Sequence, residues 1–252
     1  MKKTFIKKLA TLILFAMTGS NLFSQGFYVY TKDGQRQDYA SENVDSIVFY
    51  EKVAADIVDN FINGHEYVDL GLPSGLKWAT CNVGASKPEE YGGYYAWGET
   101  EEKNDYSSDT YKYYDSSTGY VDIGSNISGT QYDVAHVKWG SSWRMPTESE
   151  IQELVNNCTW KWATYNGVNG QLITGSNGNS IFLPAAEYRF GTDFSNLNTG
   201  GHCWSATYGV YNNDRAVSLY FGGRTWGWTN SLRINGYTVR PVTDGVENPD
   251  DE

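Results

Sequence analysis

The chain is poor in proline, cysteine, histidine and basic residues, and each shortage excludes something. Six prolines in 252 residues exclude a collagen-like or polyproline rod. The three cysteines, Cys81, Cys158 and Cys203, form no Cys-x-x-Cys, and neither they nor the scattered His65, His136 and His202 have the spacing of a structural zinc site. With 19 Lys+Arg against 30 Asp+Glu, the formal net charge is −11. That excludes a nucleic-acid partner, because neutralising phosphates takes clustered cations. No apolar run reaches the ~20 residues that span a bilayer. Gly-x-Ser-x-Gly, His-Glu-x-x-His and the phosphate-binding glycine loop are all missing.

What the chain does have is turns and rings: 27 Gly, 20 Tyr and 9 Trp. This composition suits an exported all-β or α+β domain better than a helical bundle, and it is too aromatic for disorder. The length allows one sizeable domain with a small appendage.

Residues 1–24 read as a secretory signal peptide. Lys2, Lys3, Lys7 and Lys8 form a basic start, Leu9–Met17 an apolar stretch, and Gly19–Ser24 a small, polar end. The mature chain is therefore expected to be exported to the periplasm, cell surface or medium, and to lack a membrane span. Residues 25–52 read as a short β-hairpin-like segment, with strands at Phe27–Thr31 and Ser46–Tyr50. Residues 53–64 read as a linker, 65–243 as the main domain, and 244–252 as an acidic, solvated tail.

One long helix is clear in the main domain. Thr147 and Glu150 have capping-box spacing, and Ile151, Leu154, Val155 and Cys158 follow on one face. A shorter helix is expected from Ser86 through Glu90. Near the C-terminus, Val217, Leu219 and Phe221 alternate with polar or amphipathic residues, Gly222-Gly223 signals a hairpin turn, and Trp226 and Trp228 alternate on the return strand. Asn235-Gly236 signals another turn, and Tyr237–Val242 reads as a closing strand.

Six phrases in order carry a family resemblance: His65–Ala85, Tyr94–Glu99, Trp143–Thr147, Phe182–Ala186, Trp204–Ala206 and Val239–Val242. Together they resemble the major paralogous (FISUMP) domain of exported bacterial proteins, which is similar to the formylglycine-generating type of C-type lectin-like fold. The resemblance implies an α+β fold: a twisted mixed sheet, two helices and long loops, preceded here by the small β-rich N-terminal segment.

Residues 203–242 also resemble the variable regions of target proteins diversified by retroelements. That resemblance implies a scaffold of Trp204, Ser205, Ala216, Leu219, Phe221, Trp228, Arg233, Gly236, Val239, Arg240 and Pro241. The exchangeable, ligand-binding positions it implies are Tyr208, Val210, Tyr211, Asn213, Asp214, Arg215, Ser218, Tyr220, Arg224, Thr225, Thr229, Ser231, Leu232, Ile234 and Tyr237. Tyr, Trp and Arg carry most binding hot spots, and Ser, Gly and Asn supply adaptable hydrogen bonds. Trp204 and Trp228 are expected in the core.

The expected function is recognition of a protein or glycan ligand, with no cofactor and no metal. A structural surface or adhesin subunit is the alternative. The formylglycine-generating chemistry needs a close cysteine pair, and Cys203 stands alone in the C-terminal third. Calcium-dependent sugar binding needs a Glu-Pro-Asn-like and a Trp-Asn-Asp triplet, and neither occurs. Cys81 and Cys158, which lie in the family-like phrases Trp78-Ala-Thr-Cys81 and Asn156-Asn-Cys-Thr-Trp160, are the expected disulfide pair, with three reduced thiols as the alternative.

Overall fold

The computed structural model describes residues 26–30, 36–40, 60–140, 142–195, 198–210 and 212–245. The chain divides into two units between Val58 and Asp59. In the first, β1 (Gly26–Tyr30) pairs antiparallel with β2 (Arg36–Ala40), in a register that sets Tyr28 opposite Asp38. The first strand lies where the sequence predicts it, but its partner is 36–40. The expected partner Ser46–Tyr50, the signal segment, residues 53–59 of the linker and the tail beyond Gly245 lie outside the described residues.

The second unit is mostly β-sheet with two helices, broadly α+β. Its strands β3 (Phe61–Ile62), β4 (His65–Asp69) and β5 (Lys77–Ala79) form a sheet with β16 (Val242–Thr243), in the order β16-β5-β4-β3. Residues 60–64 are thus part of the domain rather than linker. Ile62 is buried, and its carbonyl accepts from the Trp143 indole at 2.9 Å. Two further three-stranded antiparallel sheets follow. One is β8 (Thr159–Tyr165), β9 (Val168–Thr174) and β10 (Ser180–Pro184); the other is β13 (Gly200–Tyr208), β14 (Arg215–Gly222) and β15 (Trp226–Leu232). The short pairs β6 (Tyr114–Asp115) with β7 (Gly119–Tyr120) and β11 (Arg189–Phe190) with β12 (Asp193–Phe194) sit in the long loops.

The helix α2 (Glu148–Asn157) begins as its cap predicts. The Thr147 hydroxyl accepts from Glu150 N–H, and the Glu150 carboxylate accepts from Thr147 N–H at 2.7 Å. Ile151 and Leu154 are buried, and Val155 and Cys158 pack beside them. Helix α1 (Val134–Trp139) was not legible in advance. Six residues give too short a pattern, and its cap, Asp133, is fully buried and accepts from Gly129, Ala135, His136 and Met145 N–H groups. The expected helix from Ser86 is instead a turn, closed by the Glu90 carboxylate accepting from Ser86 and Lys87. Among the described residues no helix is long and apolar enough to cross a membrane.

The last stretch, 236–243, threads the middle of the domain. Tyr237 bridges Tyr95, Thr238 runs parallel to Cys203, and Val242 pairs with Trp78 and bridges Arg144. Every residue from Arg233 to Thr243 is buried. The Arg240 guanidinium has no exposure, and it donates to Asn82 Oδ1 and to the carbonyls of Ala79, Thr80 and Phe182. Burial lowers its pKa to about 10. Two buried indole N–H groups are satisfied the same way, Trp97 by the Ser205 carbonyl and Trp204 by that of Tyr95, whereas those of Trp78 and Trp160 are buried without a hydrogen-bond partner.

The expected Cys81–Cys158 bridge is not formed, and all three thiols are free. Cys81 lies beside Thr80 at the end of β5. Cys158 caps α2 and packs with the cluster around Leu154, Trp160 and Ile173, so the two serve different neighbourhoods.

Candidate functional site

The predicted ligand-binding residues do not form one face. Strands β13, β14 and β15 run up, down and up, so the β13–β14 turn and the β14–β15 turn lie at opposite ends of the sheet. The eight residues of β14 separate them by roughly 23 Å at ~3.3 Å per residue.

At the β13–β14 end stand Tyr208, Val210, Asn213, Asp214, Arg215 and Leu232. Val210 and Asn213 are exposed, with Val210 at 76 %, and the others are half-buried. Tyr211 lies outside the described residues. At the other end Arg224 and Thr225 are exposed in the β14–β15 turn, while Thr229 is exposed part-way along edge strand β15. Four predicted positions are buried and cannot be displayed. The Ser218 and Ser231 hydroxyls meet diagonally across β14 and β15, 2.8 Å apart; Ile234 packs with Tyr94 and Tyr106; Tyr237 stacks on Trp204 at 4.3 Å. Tyr220 is half-buried beside His202. The expectation for Trp228 is also corrected. It is 38 % exposed, like Trp226, because β15 is an edge strand; Trp204, on β13, is fully buried.

The β13–β14 end adjoins a depression of about 310 Å³, lined by Tyr120, Val121, Asp122, Ser125, Tyr208, Asn213 and Arg233. Four of these seven residues come from a loop, 120–125, that the reading of the C-terminal region missed. The available signal was Tyr120-Val-Asp-Ile-Gly-Ser-Asn126, a tyrosine followed by a turn-forming cluster. The Asp122 carboxylate accepts from Gly124 N–H at 2.8 Å, an Asx turn, and Tyr208 N–H donates to the Ser125 carbonyl, which fixes the loop to the end of β13. The turn leaves β13 at Gly209, whose N–H donates to the Arg215 carbonyl. A Cβ there would stand 2.7 Å from Asn230 Oδ1 and 2.9 Å from that carbonyl, so only glycine allows the approach.

Beneath the depression lies Arg233, fully buried. Its Nε donates to the Tyr111 hydroxyl at 2.9 Å, Nη1 to the Asn213 carbonyl at 3.0 Å and Nη2 to the Val121 carbonyl at 3.1 Å. The guanidinium carbon stands 4.9 Å from the Trp97 ring centre, 5.5 Å from Tyr111, 5.6 Å from Tyr120 and 5.8 Å from Tyr208. A desolvated guanidinium among ring faces gains cation–π attraction, and the carbonyls hold its protons. Burial raises the pKa of the Tyr208 and Tyr120 hydroxyls, so both stay neutral donors at ordinary pH. Rings for stacking, amide and hydroxyl groups and the Asp122 carboxylate at the rim suit a polyhydroxylated or peptide ligand.

A larger depression of about 440 Å³ is lined by Phe61, His65, Glu66, Cys81, Trp139 and neighbours. It holds none of the predicted binding positions. The His65 ring lies flat on Trp139 at 3.7 Å, and burial raises the pKa of the Cys81 thiol.

No family model matches the sequence, and neither a curated protein nor a solved structure matches it significantly.

Proposed function

We propose that this chain is an exported ligand-binding protein that recognises a glycan through the depression at the β13–β14 end of its C-terminal sheet. The observation that carries the reading is that Tyr120 and Tyr208 line one depression above the buried Arg233, with the exposed Asp122, Ser125 and Asn213 at the rim. Aromatic rings stack on the apolar faces of sugars, and short polar side chains pair with their hydroxyls. Burial raises the pKa of all three thiols, which leaves none poised as a thiolate nucleophile.

The finer reading is a FISUMP domain with a C-type lectin-like fold and a retroelement-diversified C-terminal region. Its support is that the six family-like phrases are bonded to one another. Ala79 and Val83 N–H donate to Pro241 and Val239, Ala206 to Pro146, Arg144 to Val242, the Trp97 indole to Ser205, and Arg240 to Phe182.

A printed glycan panel probed with the exported chain tests the function. Asn213→Ala and Asp122→Ala should weaken capture about fivefold or more, the loss of ~1 kcal/mol expected of an anchor, while melting temperature holds. Arg224→Ala and Thr229→Ala should leave capture unchanged. Absence of capture by the intact chain, or loss confined to the Arg224 and Thr229 variants, would overturn the reading.

A further inference from the structure

We infer that Arg233 is the positioning residue of the binding face. It holds both loops around the depression by their main chain alone, so the loops' own side chains are free to set specificity. The inference deepens the ligand-binding reading and rests on it for its purpose, though not for its geometry.

Two of the three Arg233 hydrogen bonds end on backbone carbonyls, those of Val121 and Asn213, one in each loop. The third ends on the Tyr111 hydroxyl. Tyr111 in turn donates to the Trp97 carbonyl at 2.6 Å, and Trp97 N–H donates to the Arg233 carbonyl at 2.9 Å, which ties the residue back into the core. A second main-chain tie runs alongside, from Arg233 N–H to the Asp214 carbonyl at 2.9 Å. Among the described residues no carboxylate lies within ion-pair distance of the guanidinium. Every residue type offers a carbonyl. Changing the side chain at 121 or 213 therefore leaves the acceptor in place, whereas a clamp made of an Arg–carboxylate pair would fix the residue identity.

The side chains that the clamp leaves untouched are those of Val121, Asp122, Ser125, Val210, Asn212 and Asn213, all exposed, although the Asp122 carboxylate also accepts from Gly124 N–H within its own loop. Three of them belong to the 120–125 loop. Specificity is thus written on two loops, one of them outside the C-terminal region. The rigid anchor also answers a general cost of recognition by loops, because ordering them on binding lowers affinity and a loop already held avoids it.

Amide hydrogen exchange on the full chain, with no ligand, separates this role from general stability. In Arg233→Lys, one ammonium cannot span both carbonyls and the hydroxyl. Exchange across 121–124 and 209–215 should quicken at least tenfold, while β14 and β15 keep their protection. A combined variant, Val121→Ser, Val210→Ser, Asn212→Ser and Asn213→Ala, should shift the melting temperature by no more than a few degrees and keep both loops protected.

If Arg233→Lys fails to fold, Tyr111→Phe removes one of the three bonds from outside both loops. It should quicken exchange in the same two segments by a smaller factor. Unchanged loop exchange in the folded arginine or tyrosine variant, or unfolding of the combined loop variant, would overturn the clamp. A sound clamp with no capture on the glycan panel would instead remove only the ligand-binding reading.

Discussion

His202 is a base that folding keeps neutral. It lies between Tyr188 and Tyr237, with ring centres at 5.5 and 4.7 Å, and its buried Nδ1 has no hydrogen-bond partner. Burial lowers its pKa to about 4 from the ordinary 6.5. In that window the unfolded chain binds a proton that the folded chain refuses. The contribution to stability is therefore complete above pH 6.5 and is lost as the pH falls through 6.5 towards 4. A shift of this size corresponds to about 3 kcal/mol across the window. Carboxylates titrate in the same range, so the check is a comparison. Melting temperatures of the native chain and of His202→Phe, followed from pH 7.5 to 4, should converge on the acid side, with the native chain falling more steeply. Parallel curves would mean that the ring charges without cost.

Position within a sheet, more than residue type, decides what each aromatic element contributes. Trp204 and Trp228 were both expected in the core. Trp204 stands on β13, between β14 and the central 236–243 stretch, whereas β15 has a neighbour on one side only. Trp204→Ala should cost about 3–5 kcal/mol, the usual range for a buried tryptophan. Trp228→Ala should cost about 1 kcal/mol or less, closer to a surface change. Equilibrium denaturation of the two variants checks the ordering, and equal losses would contradict it.

The same distinction explains what the sequence made legible. The capping box and the i, i+3, i+4 pattern announced α2, and Gly222-Gly223 with alternation announced the β14–β15 hairpin, because those signals are local. Ser218 and Ser231 were placed among the displayed positions by the resemblance to diversified variable regions, which carries no information on pairing. Their mutual hydrogen bond, which is what permits them inside, depends on a pairing register that no single strand encodes. Tyr237 was misplaced for the same reason, since its burial comes from Tyr95 and Trp204, far away in the chain. Most of the depression's lining stayed hidden because 120–125 meets Tyr208 and Asn213 only through the fold.

At the scale of the molecule, the domain begins before the family-like phrases do. The first of these phrases opens at His65, yet the preceding residues already close the core. Asn60 O accepts from Tyr67 N–H at 2.7 Å, Ile62 is 3 % exposed, its carbonyl holds the Trp143 indole, and the Asn63 side chain donates to the Trp139 carbonyl. A chain starting at His65 would lose the edge strand β3, expose one side of the cluster around Trp139 and Trp143, and leave a buried indole N–H without its acceptor. Each unmade buried hydrogen bond costs about 1–3 kcal/mol, and removing the Ile62 side chain adds a loss of similar size. Against a total stability of ~5–15 kcal/mol for a domain, that is a large fraction. A chain of 59–245 should therefore melt in one cooperative transition, and a chain of 65–245 should melt well below it or resist folding altogether. Calorimetry of the two, with limited proteolysis alongside, is the measurement. Equal melting temperatures would place the boundary at His65 and make β3 an ornament on the sheet edge.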